Sequence, residues 1–533
     1  MMNSIRGARG MAVAPHALAA QSAVAVLREG GNALEAMIAA AATISVVYPH
    51  MNSIGGDGFW LIDVPGEAPG AIDACGAAAT AASIDWYRSR GIERAIPFRG
   101  GVAANTVAGT VSGWDAAYRL SRRALRGRLP FSRLLEDAIH YAEHGVVVTA
   151  GQAAGTAAKM AELAPQPGFR DSYLPHGRPP PSGALFVQKR LGATLRRLAR
   201  AGAQDFYRGD LARSIAQDLE RAGSPLRLED LAAHRARLCD PLTLDHSLGR
   251  LHNLPPPTQG VISLLVLAIL DRLRIDRAGA ATPDYVHLCV EATKQAFRVR
   301  DRHVTDPAYM TVDPRALLRP DNVSRLAAGI ARYKAAPWGT GGPPGDTVWL
   351  GVIDGRGCAV SFIQSLYHEF GSGVVLADSG ITWQNRGCSF SLEEGALQAL
   401  VPRRKPFHTL NPALARLKDG RVMVYGTMGG DGQPQTQAAL FTRVAVFGMD
   451  PQSAVAAPRW LLGRTWGQAT DTLKLESRFE GGVLKALGEW GHDIEILQPY
   501  DDIVGHAGCI VRHPNGVLEG GADPRSDGCV AAF

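Results

Sequence analysis

The chain has 533 residues, is 46% hydrophobic and 20% charged, and carries a formal net charge of +6 with a pI near 9.0. It is too apolar to be disordered, and the absence of any Lys/Arg run of five or more argues against a nucleic-acid partner and leaves a small anionic ligand as the simpler match to a basic surface. Length alone suggests about three or four domains.

The opening "MMNSIRGARGMAVAPHALAA" has no uninterrupted apolar run of the signal-peptide kind, so a cytoplasmic protein is expected. "NALEAMIAAAATISVVYP", Asn32 to Pro49, reads as a buried helix, too short for the roughly 20 apolar residues a bilayer requires. Asn32 can cap it and Glu35 can complete a capping box. "GWDAAYRLSRRAL" and "PFSRLLEDAIHYAEHG" are amphipathic helices, with Gly145 placed to end the second. "QPGFRDSYLPHGRPPPSG" reads as loop. Val261 to Leu273 is apolar on nearly every side and predicts an internal helix, and "DYVHLCVEATKQAFRVRDRH" predicts another. Residues 335–346 are rich in Gly and Pro and end abruptly on Asp346. Beyond them "TVWLGVID–GRG–CAVSFIQSL" predicts a hairpin, and "RVMVYGTMGG" a strand running into glycines. "PQTQAALFTRVAVFG" and "LESRFEGGVLKALGEWG" predict helices, and "GCIVRHPNGVLEGGAD" a hairpin with an Asn-Gly turn. No internal repeat is present, and the residues by themselves support a mixture of α and β.

Several chemistries fall away. The seven cysteines are scattered without a C-x-x-C pair, which fits free thiols rather than a zinc site. His140 and His144 are four apart on a helix, but Tyr141 breaks the zincin pattern. There is no G-x-S-x-G elbow and no P-loop, and "GTMGGDG" lacks dinucleotide spacing. No metal and no cofactor is expected. Three features remain: Thr347 behind a flexible stretch, Ser365 near the end of the partner strand, and Gly429-Gly430 at a strand end. A nucleophile, a neighbouring hydroxyl and a pair of backbone donors are what acyl transfer requires. Each has a plain structural reading too, since Thr is a good strand residue, glycines make turns, and Gly/Pro stretches link domains.

Read together, "REGGNALEAMIAAAATISVVYPHMNSIGGDGFW", "NTVAGTVSGWDAAY", "RLEDLAAH", "LPPPTQGV", "DTVWLGVID", "FGSGVV", "KPFHTLNPAL", "GTMGGDGQPQTQ" and "GADPRS" resemble the gamma-glutamyltranspeptidase family of N-terminal-nucleophile (Ntn) hydrolases, over nearly the whole chain. The resemblance implies an α+β fold, a four-layer αββα sandwich. It implies a precursor that cuts itself between Asp346 and Thr347 into a large piece, 1–346, and a small piece, 347–533, held together as a heterodimer that can pair into a dimer of heterodimers. Thr347 is then the nucleophile, and its freed α-amine, with an ordinary pKa of about 7.7–8.0, the base. Ser365 takes the place of a hydroxyl that hydrogen-bonds the nucleophile, and Gly429 and Gly430 that of the oxyanion hole.

The same resemblance locates departures. Cys75 stands where the family carries an Arg for the substrate α-carboxylate, and Tyr367 replaces an Asn. Cys388 and Ser389 replace the acidic pair that receives the α-amine, and His408 and Thr409 replace a serine pair. Both ends of the glutamate clamp are missing, and the larger Tyr367 and His408 predict a smaller pocket. "YPHMNSIGGDGFW" and "MGGDGQPQTQ" resemble a branch that hydrolyses oxamate to oxalate and ammonia in purine nitrogen salvage. That substrate is a small anionic amide whose carboxylate needs a donor, and His408, Thr409, Asn385 and Arg386 are the open candidates. The alternatives are a γ-glutamyl hydrolase or transferase with an altered clamp, a cephalosporin-acylase-like amidase, and a non-catalytic scaffold.

Overall fold

Alternation along one strand, Asp346–Asp354, organises the molecule. Successive side chains of a strand point to opposite faces. Val348, Leu350 and Val352 pack into an apolar cluster with the helices Ala17–Arg28 and Ala33–Val47, whereas Trp349 and Ile353 pack into a second cluster with Leu414, Val424 and Ile510. The first face looks at helices and the second at another sheet. A computed structural model describes residues 3–339, 346–464 and 470–533, and of Asp346 the backbone.

The first sheet has seven strands in the order Cys529–Ala532, Gly10–Ala14, Asp346–Asp354, Ala359–Tyr367, Asp57–Asp63, Gly70–Ala74, Arg237–Cys239. The second also has seven, in the order Ile5–Gly7, Leu518–Ala522, Ala507–Arg512, Val422–Thr427, Ala413–Leu417, Gly249–Asn253, Leu242–His246. Neighbours in both sheets are antiparallel. A third apolar cluster joins the outer face of the second sheet (Leu251, Ala413, Ala415, Met423, Tyr425) to the helices Gly260–Arg272, Pro283–His303 and Gly432–Phe441. Helices, sheet, sheet and helices give the expected four-layer αββα sandwich.

Each sheet takes strands from both sides of residue 346, and Asp346–Asp354 lies between Gly10–Ala14 and Ala359–Tyr367. The three or four units suggested by length therefore do not form, because the sequence halves are interleaved in the same two sheets.

Local signals mostly survive. Asn32 and Glu35 form the expected capping box, with Oδ1 of Asn32 accepting from the amides of Leu34 and Glu35 at 3.1 Å and Oε2 of Glu35 accepting from the amide of Asn32 at 3.1 Å. Gly145 ends its helix at φ 99°. The Asn515-Gly516 turn joins Ala507–Arg512 to Leu518–Ala522. Two readings are corrected. "LESRFEGGVLKALGEWG" opens on the last two residues of the strand Leu473–Glu476, whose Leu473 and Leu475 alternate into the core between two partner strands, and only Gly481–Glu489 is helical. The segment read as loop contains the short helix Phe169–Tyr173, pinned by the burial of its two terminal rings.

Of the Gly/Pro stretch, residues 340–345 lie outside the described residues. The strap leading to it is gripped by one face of Pro283–His303. Nε2 of His287 meets the carbonyl of Ala331 at 2.8 Å. The Glu291 carboxylate accepts from the Ala336 amide at 3.2 Å, Lys294 donates to the Ala336 carbonyl at 2.6 Å, and Arg298 to that of Pro337 at 3.1 Å.

Candidate active site

The hairpin register runs from Ile353 opposite Ala359 to Val348 opposite Gln364, then slips, so that Asp346 faces Tyr367. Ser365 and Leu366 therefore stand against the single residue Thr347. Such a bulge re-aims side chains at the end of a ladder. Ser365 pairs on its other side with Asp57, and its Oγ accepts from the Tyr367 amide at 2.7 Å. A serine hydroxyl has one proton to give, and with its oxygen accepting here that proton is directed elsewhere. Tyr367 itself sits at φ 85°, a conformation costly for a bulky residue and concentrated at functional sites. Thr347 is buried, and alternation puts it on the Trp349 side of its strand, facing the second sheet.

The second sheet meets it with glycines. A Cβ on Gly426 would lie 2.2 Å from Cδ1 of Trp349, so the two sheets approach closely here. Three residues on, Gly429 and Gly430 adopt φ 109° and 50° between the strand Val422–Thr427 and the helix Gly432–Phe441. The φ of Gly429 is open only to glycine. The turn is held from behind: Nε2 of Gln259 donates to the carbonyls of Gly430 at 3.0 Å and Thr409 at 2.9 Å, and Arg300 binds Oδ1 of Asp431 at 2.8 Å and Oε1 of Gln259 at 3.3 Å. A strand-to-helix turn of this kind offers backbone N–H groups to a developing negative charge.

Beyond Ser365 lies a buried polar pocket. Oδ1 of Asp57 accepts from the amides of Gly76 and Gly109, each at 3.0 Å, an approach that needs glycine because a Cβ on Gly76 would sit 1.6 Å from the Val107 carbonyl. Its Oδ2 lies 3.2 Å from Nε2 of His408. Burial pushes the Asp57 carboxyl up to about 7 against the pull of those amides and of Arg386. Burial holds His408 well below its ordinary value, so it is neutral, and pushes the Cys75 thiol well above its own. Cys75, Asp57 and His408 bring three ligand atoms within 4.8 Å of one another. A divalent cation among them would meet the fixed charge of Arg386, which acts on all three, and a thiol whose ionisation is suppressed. The second such trio, His287, Glu291 and His492, is engaged in gripping the strap and in the 2.8 Å contact between its two histidines.

Arg386 opens a short 3₁₀ turn, Arg386–Ser389, and stacks 3.9 Å over the Tyr367 ring. It is 1% exposed, and neither Nη1 nor Nη2 has a hydrogen-bond partner. Asn385 beside it is tied to the backbone at both ends of its amide, its Oδ1 accepting from the His368 amide at 3.2 Å and its Nδ2 donating to the Phe98 carbonyl at 2.9 Å. Cys388 donates to the Pro97 carbonyl at 3.0 Å and Ser389 to that of Phe407 at 3.4 Å, so neither presents a charge to a ligand. Oγ1 of Thr409 and both ring nitrogens of His408 are buried without hydrogen-bond partners, the 3.2 Å approach of Nε2 to Asp57 aside.

A cavity of about 390 Å³ opens beside this group, lined by Tyr367, Thr409, Asp431, Arg300, Phe407 and Ser389. The predicted small pocket is thus not the whole picture. Arg386 and His408 do not line the cavity, but Tyr367, which does, is the ring on which the Arg386 guanidinium stacks. Sequence reasoning missed Asp57, Gln259 and Arg300. The signal for Asp57 was an acid set in the apolar strand "DGFWLID", where a charge needs a local reason.

A family model described as gamma-glutamyltranspeptidase matches residues 19–533. The chain is 58% identical over 533 residues to an oxamate amidohydrolase proenzyme of Klebsiella pneumoniae, covering all of both chains. It is 40% identical to a glutathione hydrolase-like proenzyme of Bacillus subtilis, again over all of both. Among solved structures, a cephalosporin acylase from Bacillus halodurans superposes with a TM-score of 0.92 at 32% identity, covering 100% of this chain and 97% of that one.

Proposed function

The chain belongs to the gamma-glutamyltranspeptidase family of Ntn hydrolases, and from that premise we propose that it is a self-processing amidohydrolase that converts oxamate to oxalate and ammonia. The observation that carries the substrate is the 58% full-length identity to an oxamate amidohydrolase proenzyme. An uncharged Cys75 and a buried cation at Arg386, in place of a zwitterion clamp, are consistent with a short anionic amide.

Processing begins with Oγ of Thr347 attacking the Asp346 carbonyl carbon. The C–N bond breaks, the acyl group moves to Oγ, and the α-amine of Thr347 is released. Water then hydrolyses the ester, giving a large piece 1–346 and a small piece 347–533 as a heterodimer. In turnover the neutral α-amine takes the proton from Oγ, which attacks the amide carbon of oxamate. The amides of Gly429 and Gly430 receive the oxyanion, and Ser365 donates toward Oγ. The protonated amine returns its proton to the departing nitrogen, and ammonia leaves an oxalyl ester on Thr347. A water deprotonated by the same amine attacks that ester and releases oxalate. The setting we infer is purine nitrogen salvage in the cytoplasm. Among the described residues no helix is long and apolar enough to cross a membrane.

Denaturing electrophoresis with N-terminal sequencing, followed by an ammonia assay, tests this reading. The expected result is two fragments, one beginning Thr-Val-Trp-Leu, and ammonia release from oxamate that is lost in Thr347→Ala. Two fragments with no ammonia from oxamate would retain the processing chemistry and reject the substrate.

A further inference from the structure

Four side chains compete for the substrate carboxylate, and their surroundings separate them. Asn385 has spent both its amide groups on backbone partners. His408 is held neutral by burial, and Thr409 offers one hydroxyl. Arg386 alone brings a full positive charge. Among the described residues no carboxylate pairs with it, and both of its terminal nitrogens are buried and unpartnered. An isolated charge in a protein interior is so costly that it is normally paired or neutralised, and an arginine cannot be neutralised. The two free nitrogens form a planar fork that matches a carboxylate with two parallel hydrogen bonds. The fork is rigidly placed: its ring partner Tyr367 stands opposite Asp346 at the nucleophile end of the hairpin, and the preceding Asn385 is tied to the Leu366 carbonyl at 3.1 Å.

We propose that Arg386 grips the carboxylate of the substrate and thereby sets specificity for short carboxylate-bearing amides over neutral ones. This rests on the amidohydrolase reading above. Asp57 is a near neighbour whose charge acts on Arg386 without forming an ion pair with it, so among the described residues the terminal nitrogens keep no acidic partner. His408 and Thr409 supply further polar atoms around the same space.

The test compares oxamate with oxamide, its neutral diamide, on the processed protein. Ammonia release is measured for wild type, Arg386→Gln and Arg386→Lys. The ratio of kcat/KM for oxamate over oxamide is expected to fall by about 10²-fold or more in Arg386→Gln, mainly through KM for oxamate, and to recover in part in Arg386→Lys, which keeps the charge but not the fork. Equal losses on both substrates would mean that Arg386 only supports the fold, and would overturn the proposal. Calorimetric binding of oxalate separates this from the parent reading. If wild type hydrolyses neither amide, the oxamate assignment fails. The anchor is then judged by oxalate affinity, expected to weaken by about 30-fold or more in Arg386→Gln. Oxalate binding that is unchanged in the variant, or absent from wild type, overturns the anchor. Should Arg386→Gln not accumulate in folded form, Arg386→Lys decides by the same ratio.

Discussion

Arg300 and Asp431 meet at 2.8 Å in the interior, where each side chain is only 5% exposed, and Asp431 is the residue directly after the glycine pair. Breaking a buried pair from one side strands a charge, at a typical cost of about 3–5 kcal/mol, but Arg300 keeps a second carboxylate, Asp301, at 2.8 Å. Asp431→Asn is therefore expected to lower stability by less than that amount, and to reduce kcat, because Arg300 and Gln259 together set the position of Gly430. Urea unfolding of the uncut Thr347→Ala precursor carrying the change measures the first effect. The paired change Arg300→Met with Asp431→Asn should cost less than Asp431→Asn alone.

Gly429 at φ 109° admits no side chain without strain. Gly429→Ala is expected to turn the amides of the turn away from the oxyanion. The loss should be about 10²–10³-fold in kcat with little change in KM. A KM effect with unchanged kcat would place the turn in ground-state binding instead.

Two groups give opposite pH trends. The freed α-amine of Thr347 must be neutral to act as base, so kcat should rise with pH through about 7.7–8.0. Asp57 faces Arg386, His408 and Cys75, with the Gln384 side chain beside it. As pH rises through about 7 it gains a negative charge beside the site for an anion, so KM for oxamate should rise. Asp57→Asn should flatten the KM profile and leave the kcat profile in place. Steady-state kinetics from pH 6 to 9 on both proteins decides it.

The same carboxyl makes a stability prediction. Its folded pKa, about 7, lies above its unfolded value near 3.8. Between those values the folded protein holds a proton that the unfolded chain has lost, so stability falls as pH rises through that window. Asp57→Asn should therefore raise Tm more at pH 8 than at pH 4.5, equivalent to about 2–4 kcal/mol. Scanning calorimetry of the Thr347→Ala precursor at the two pH values is the check.

The elements whose signals are local were legible in the chain. The Asn32 and Glu35 box, the Gly145 terminus and the Asn515-Gly516 turn each depend on residues within a few positions of one another. Thr347, Ser365 and the glycine pair stood out because acyl transfer needs that set, and the bulge that sets two residues against Thr347 is a matter of register, invisible to composition. Asp57, Gln259 and Arg300 escaped notice because their partners are far off in sequence. Arg300 meets Asp431 131 positions away, and Gln259 reaches Gly430 across 171. The helical reading of "LESRF" failed because two strands outside that stretch, Trp460–Leu462 and Ile494–Leu497, recruit Leu473–Glu476.

Interleaving of the two sheets makes folding a one-way street once the 346–347 bond is cut. The strand that begins at the cut is flanked by Gly10–Ala14 on one side and its own hairpin mate on the other. As one chain, the molecule assembles these neighbours at a rate independent of concentration. As two chains, any return from the denatured state is a bimolecular encounter between partners that each lack several of their strand neighbours. The mature enzyme then lives on its barrier to unfolding rather than on an equilibrium. Heat or urea should inactivate it irreversibly at dilutions where the uncut precursor still refolds.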